Sequence, residues 1–156
     1  MTEIFRSTKT YYNYPCSHRQ WRHEGNCAVL HGYSRSFHFV FEAQTLDKCG
    51  FVVDFGNLKW LKDYLDYMFD HTLLLPAEDP LMDKFRELER LGAAAIRILP
   101  YGVGMEATAQ HLCEHVDAKL RHDTKGRAWV VSVESRENDK NSAIYFNPKA
   151  GFSGWE

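Results

Sequence analysis

The chain has 156 residues, with 19 Lys and Arg against 21 Asp and Glu, 44% hydrophobic and 14% aromatic side chains. That length suits a single domain over residues 1–156, since two halves would each lack a sufficient core, and the apolar content excludes disorder. A net charge of −2 argues against nucleic acid as a partner, no apolar run approaches the roughly 18 residues of a membrane span, and MTEIFRSTKT lacks the apolar core of a signal peptide, so a cytoplasmic protein is expected.

In chain order, residues 4–14 are aromatic and β-branched and predict a strand that stops at Pro15. Residues 16–30 predict a polar loop carrying His18, His23 and Cys27. From 31 to 44 the β signal is strong: Tyr33, Arg35, Phe37, Phe39 and Phe41 share one parity, and Ser34, Ser36, His38, Val40 and Glu42 the other. LDKCG then predicts a turn into a short strand at 51–54, completing a hairpin. Leu58, Leu61, Leu65 and Met68 recur at helical spacing and predict an amphipathic helix over 56–69. It is followed by Asp70-His71 and a loop up to Pro80. A charged helix over 80–91, a strand at 94–99, a helix over 106–120 and strands at 128–134 and 143–146 complete the pattern. This order reads as α+β with a mainly antiparallel sheet and helices beside it.

The chemistry concentrates near the front. His18, His23, His31 and His38 lie within 21 residues of one another, together with Cys16 and Cys27. The four cysteines contain no CxxC pair and predict free thiols. His31 and Tyr33 sit two apart on a predicted strand and share a face. A histidine pair at that spacing would make half of a zinc site, completed by His18; a hydrogen-bonded core histidine is the other reading. Cys27, four residues before His31, is either an activated thiol or an inert one. Asp70-His71 is an acid–imidazole couple able to relay a proton, or a cap on a helix end. Glu134 at a strand end and Glu106 at a helix start can each offer a carboxylate to the paired donors of a guanine-like ring, or be ordinary surface acids. His111-Leu-Cys-Glu-His115 has the HxxEH form of inverted zinc metalloproteases but reads as a chance match on a solvated helix face.

Taken together, these segments resemble the 6-pyruvoyl tetrahydropterin synthase / 6-carboxy-tetrahydropterin synthase family. The matching pieces are His18, CAVLHGY at 27–33 for the family's Cys-x-x-x-His-Gly-His, VVDFGNLK at 52–59, Asp70-His71, Glu106 at a helix start, SVES at 132–135 and AIY at 143–145. They run in the family's order.

The resemblance implies a tunnelling fold (T-fold), in which helices cover one face of an antiparallel sheet and three subunits close a barrel, giving a homo-oligomer, trimer or hexamer. It implies Cys27 as the catalytic thiol, made basic by Asp70 and His71 from across a subunit boundary. It further implies zinc held by His18 and His31 as two of three ligands, and Glu134 with Glu106 holding a pterin. The implied reaction is that of the queuosine-pathway branch, 6-carboxy-5,6,7,8-tetrahydropterin synthase, which converts 7,8-dihydroneopterin triphosphate with release of acetaldehyde and triphosphate. The 6-pyruvoyl activity is the alternative. Arg19, Arg22 and Arg35 are the cations near enough in sequence to hold the triphosphate. Tyr33 departs from the family's third zinc histidine, which leaves open a pterin-binding member with a degraded metal site.

Overall fold

The computed structural model describes residues 1–152; the last four positions of the expected single domain lie outside the described residues. Strands β1 (Phe5–His18) and β2 (His31–Ala43) pair antiparallel from Phe5↔Ala43 to His18↔His31. The parity expected for β2 holds, with Arg35, Phe37, Phe39 and Phe41 all buried on one face. Strand β5 (Ala128–Arg136) lies antiparallel beside β2, and β6 (Ser142–Phe146) antiparallel beside β5. Beyond β1, two three-residue strands, β3 (Leu73–Leu75) and β4 (Ile96–Ile98), join in parallel. The sheet order is β4-β3-β1-β2-β5-β6.

Three helices, α1 (Lys59–Phe69), α2 (Met82–Arg90) and α3 (Met105–Thr124), complete the α+β fold. Leu61, Leu65 and Phe69 of α1 and Ala109, Leu112, Val116 and Leu120 of α3 share one core with Phe37, Phe39 and Phe41 of β2. Each large side chain so buried contributes about 1.5–3 kcal/mol of transfer free energy. A polar link ties α3 to the sheet: Asp117 Oδ1 accepts from the Val130 N–H at 2.9 Å. Phe85 of α2 packs in a separate small cluster with Leu73, Leu75 and Ile96. Among the described residues no helix is long and apolar enough to cross a membrane.

Three local expectations are corrected. β1 does not stop at Pro15 but runs to His18, so His18 is a strand residue rather than a loop residue. A proline removes only one ladder donor, and the Pro15 carbonyl still accepts from the His71 N–H at 2.7 Å. One extra residue bulges from β1 between Tyr11 and Tyr14, with Asn13 at φ 68°. Residues 51–54 form no strand: Asp47 Oδ1 takes the N–H groups of Cys49 and Phe51, and Arg127 binds the carbonyls of Phe51 and Val52. This closes a coiled segment whose valines are buried without a ladder. Finally, β3 lies where a loop is expected.

Candidate active site

The register of β1 on β2 builds the site. Because His18 pairs directly with His31, their rings meet on one face with centroids 4.5 Å apart. Tyr33, two residues along β2, presents its ring edge-on to His31 at 5.5 Å. Gly32 between them is required: a Cβ there would lie 2.7 Å from the Cys16 carbonyl oxygen on β1. His18, His31 and Tyr33 line a cleft of about 290 Å³ together with Cys27, Glu106 and Glu137. Cys27 comes from a short 3-10 turn, Asn26–Ala28, and is exposed. Glu106 stands in the first turn of α3, where the helix dipole favours a carboxylate. Glu137 follows β5, steadied by Asn141 Nδ2 donating to its Oε1 at 3.0 Å.

The loop bearing Cys27 is anchored by an ion pair whose carboxylate is buried. Arg19 donates to both oxygens of Asp79, at 2.8 and 2.7 Å, and reaches the Ala28 carbonyl at 3.3 Å. Burial alone would raise the Asp79 carboxyl, but the bonds from Arg19 and the Leu81 N–H outweigh it and hold it below the usual range. Arg19 is therefore a loop staple. Arg35 is wholly buried and cannot reach a triphosphate in the cleft. Of the three arginines, only Arg22, stacked over Trp21, is exposed.

Arg35 lies behind the histidines. Its Nη2 donates to His18 Nδ1 at 3.0 Å and to the Val103 carbonyl at 2.8 Å, and its Nη1 donates to Thr108 Oγ1 at 3.1 Å. Its Nε has no hydrogen-bond partner among the described residues, and no ion pair accompanies it there. Burial pulls the guanidinium down, opposed by the charges of Cys16 and Glu137. Burial first, then the charge of Arg35 and the neighbouring His31, pushes His18 down to about 3, so His18 is neutral at physiological pH.

These residues do not fit a divalent cation. A guanidinium only donates, so His18 Nδ1 must carry its lone pair toward Arg35, and the neutral ring's proton then sits on Nε2. A ring so fixed offers no lone pair to a metal. The third ligand position holds Tyr33, and the buried Arg35 guanidinium is bonded to His18 itself. Among the described residues no three His, Cys, Asp or Glu side chains converge as a metal site requires.

The remaining expected residues fall elsewhere. Asp70 and His71 form a hydrogen-bonded couple, Nδ1 to Oδ1 at 2.6 Å, exposed after α1 with His71 at φ 58°. Within one chain His71 lines a separate groove with Pro15, Ser17, Leu30 and Ala93. Glu134 pairs with His38 in register and so faces the opposite side of the sheet. There it accepts from Arg136 Nη1 at 3.1 Å and Ser142 Oγ at 2.8 Å, in a polar cavity of about 520 Å³ that also includes Ser34, Ser36 and His38. Sequence reasoning missed Glu137. The signal for it is parity: Val133 and Ser135 are buried toward the helices, and Glu137 is the next residue of that series. His111 and His115 are not a freely solvated face. Tyr64 Oη and His111 Nε2 share a hydrogen bond at 2.6 Å, and the Tyr64 ring stacks on His115 at 4.1 Å.

A sequence profile described as 6-pyruvoyl tetrahydropterin synthase matches residues 7–148. The chain belongs to the 6-pyruvoyl tetrahydropterin synthase family. Among its relatives is a 6-carboxy-5,6,7,8-tetrahydropterin synthase of Rickettsia conorii, 32% identical over 108 residues, which are 69% of this chain and 77% of the relative. A Bacillus subtilis protein of the same name is 28% identical over 131 residues, 83% of this chain and 77% of the relative. In fold, the chain is similar to an uncharacterised protein of Wolinella succinogenes, with a TM-score of 0.80 at 23% identity, covering 93% of this chain and 99% of the other. It is also similar to the 6-pyruvoyl tetrahydropterin synthase of Caenorhabditis elegans, with a TM-score of 0.63 at 16% identity over 94% and 97% of the two chains. The fold is thus the T-fold expected from the sequence.

Proposed function

We propose that this chain is an enzyme acting on the side chain of a 6-substituted dihydropterin, of the 6-carboxy-5,6,7,8-tetrahydropterin synthase type. On this reading it converts 7,8-dihydroneopterin triphosphate and one water to 6-carboxytetrahydropterin with release of acetaldehyde and triphosphate, a step of queuosine biosynthesis. The observation that carries it is the cleft itself. A thiol, two imidazoles and two carboxylates converge there, on the frame of a family whose relatives bear that enzyme's name.

The roles follow from chemistry. A carboxylate with two acceptor oxygens suits the adjacent N–H donors of a pterin ring, and Glu137 is the acid that faces the cleft, with Glu106 beside it; Glu134 does not. Cys27 is exposed in the same cleft and positioned to move protons at the carbons of the substrate's side chain. Asp70 and His71 reach it only from a neighbouring chain, so the reading requires a homo-oligomer, trimer or hexamer. The test is mass spectrometry of products after incubating the purified protein with 7,8-dihydroneopterin triphosphate. 6-Carboxytetrahydropterin with acetaldehyde supports the reading, and a 6-pyruvoyl product moves it to the sister activity.

A second reading, a pterin-binding member without turnover, is favoured by Tyr33 and Arg35 standing in and behind the expected metal position. It predicts ligand binding with no product.

A further inference from the structure

We propose that Arg35 replaces a metal ion in this cleft: it fixes His18 in the tautomer opposite to the one the Val29 carbonyl sets in His31, and the two rings together hold the oxygens of the substrate's side chain. The inference rests on the reading of the cleft as a pterin side-chain site. Arg35 donates to His18 Nδ1 at 3.0 Å, so the neutral His18 ring keeps its proton on Nε2. His31 Nδ1 lies 2.7 Å from the Val29 carbonyl, which can only accept, so His31 Nδ1 carries the proton and Nε2 is left as a lone pair. One ring therefore has a donor left to offer and the other an acceptor, with centroids 4.5 Å apart, both lining the cleft. A hydroxyl both donates and accepts, so neighbouring hydroxyls on a side chain match this pair. Two metal-ligating imidazoles would both present lone pairs.

The buried charge supports this. A guanidinium with no exposure, no ion-paired carboxylate among the described residues and an unpartnered Nε is expensive to bury. It places a fixed positive charge behind His18, where it polarises the imidazole whose Nε2–H faces substrate oxygen. Arg35 is a positioning residue: it acts on substrate through His18.

The test is metal stoichiometry and pterin binding, measured separately. Wild type, Tyr33→His and the double variant Tyr33→His/Arg35→Met are dialysed against zinc, desalted and assayed for metal by mass spectrometry. Wild type and Tyr33→His are expected to retain little zinc, and the double variant, with the His18 lone pair released, to bind it on the order of tenfold to a hundredfold more tightly, the scale on which groups behind a ligand histidine set metal affinity. One tightly held zinc per chain in wild type, or in Tyr33→His with Arg35 intact, overturns the proposal. So does a Nδ1–H tautomer for His18 in solid-state nitrogen NMR of histidine-labelled protein, a readout that needs no variant to fold. Calorimetry with 7,8-dihydroneopterin is run with and without chelator. Chelator-insensitive binding supports the proposal, and binding abolished by chelator overturns it. A metal-free protein with the stated tautomers that binds no pterin refutes the pterin reading, and with it the substrate half of the proposal, but leaves Arg35's hold on His18 standing.

Discussion

Glu134 and Glu137 stand three residues apart yet on opposite faces of the sheet. Glu134 pairs with His38 and faces the larger polar cavity, whereas Glu137 lies in the cleft with Cys27, His18 and His31. A three-residue step along extended chain reverses the side-chain direction, so only one of the two acids can serve a ligand in that cleft.

Glu137→Gln is therefore expected to weaken 7,8-dihydroneopterin binding about 10–100-fold, the worth of a charged acceptor lost from a ligand contact. Glu134→Gln should leave affinity within about twofold, since surface polar changes away from a ligand are small. Fluorescence titration of each variant reads both. A larger loss in Glu134→Gln would return the ring-binding role to that residue.

Cys27→Ala is expected to reduce turnover about 10²–10⁴-fold while retaining ligand binding, the range for a positioned proton-transfer group. His71→Ala should do the same. Because His71 lies outside its own chain's cleft, mixing the two inactive variants under conditions of subunit exchange should restore activity through sites that combine an intact Cys27 with an intact His71. Failure to complement in verified mixed oligomers would place the relay within one chain.

His111 should give the fold a pH signature. Burial, then the charge of His115, lowers its pKa below the ordinary histidine value, with Glu114 opposing. A group whose folded pKa is lowered binds more protons when unfolded, between its folded value and about 6.5. Stability is therefore lost as pH falls through that window and is fully present above it. Thermal melts should show Tm rising from pH 5 to pH 7, and His111→Gln, which keeps a polar partner for Tyr64, should reduce the slope to the part that His18 and His115, lowered in the same direction, contribute. An unchanged slope would assign it to other groups.

Gly32→Ala tests the strand contact beneath the site. With a Cβ built 2.7 Å from the Cys16 carbonyl oxygen, β1 and β2 must separate or shift. The expected loss is about 1–3 kcal/mol, the usual penalty for overpacking, read as a lower denaturation midpoint. Ligand affinity should fall with it, since His31 and Tyr33 flank the glycine.

Much of this was legible in the sequence where one periodicity ran uninterrupted. The alternation from Tyr33 to Phe41 marked the core face of β2, and the leucine spacing marked α1. Where a local rule was overridden, reading failed. Pro15 suggested a strand end, yet the strand continues because its carbonyl is still used and the neighbouring strands hold it. Leu73–Leu75 is too short and too uniformly apolar to show alternation, so β3 was invisible. In the site, His18, Cys27, His31 and Glu106 could be picked out by residue type and order. Glu137 required the face of β5, and Arg35 required knowing that its guanidinium turns inward. Read only as a charge near histidines it suggested a phosphate ligand, whereas burial makes it a partner of His18.

The most direct measurement is a crystal structure of the protein grown with 7,8-dihydroneopterin and zinc. The pterin ring is expected on the Glu137 carboxylate, the side-chain oxygens against His18 and His31, Asp70 and His71 of a neighbouring subunit facing Cys27, and no metal between the imidazoles. A zinc ion bridging His18 and His31, or a pterin bound on the Glu134 face of the sheet, would contradict that arrangement.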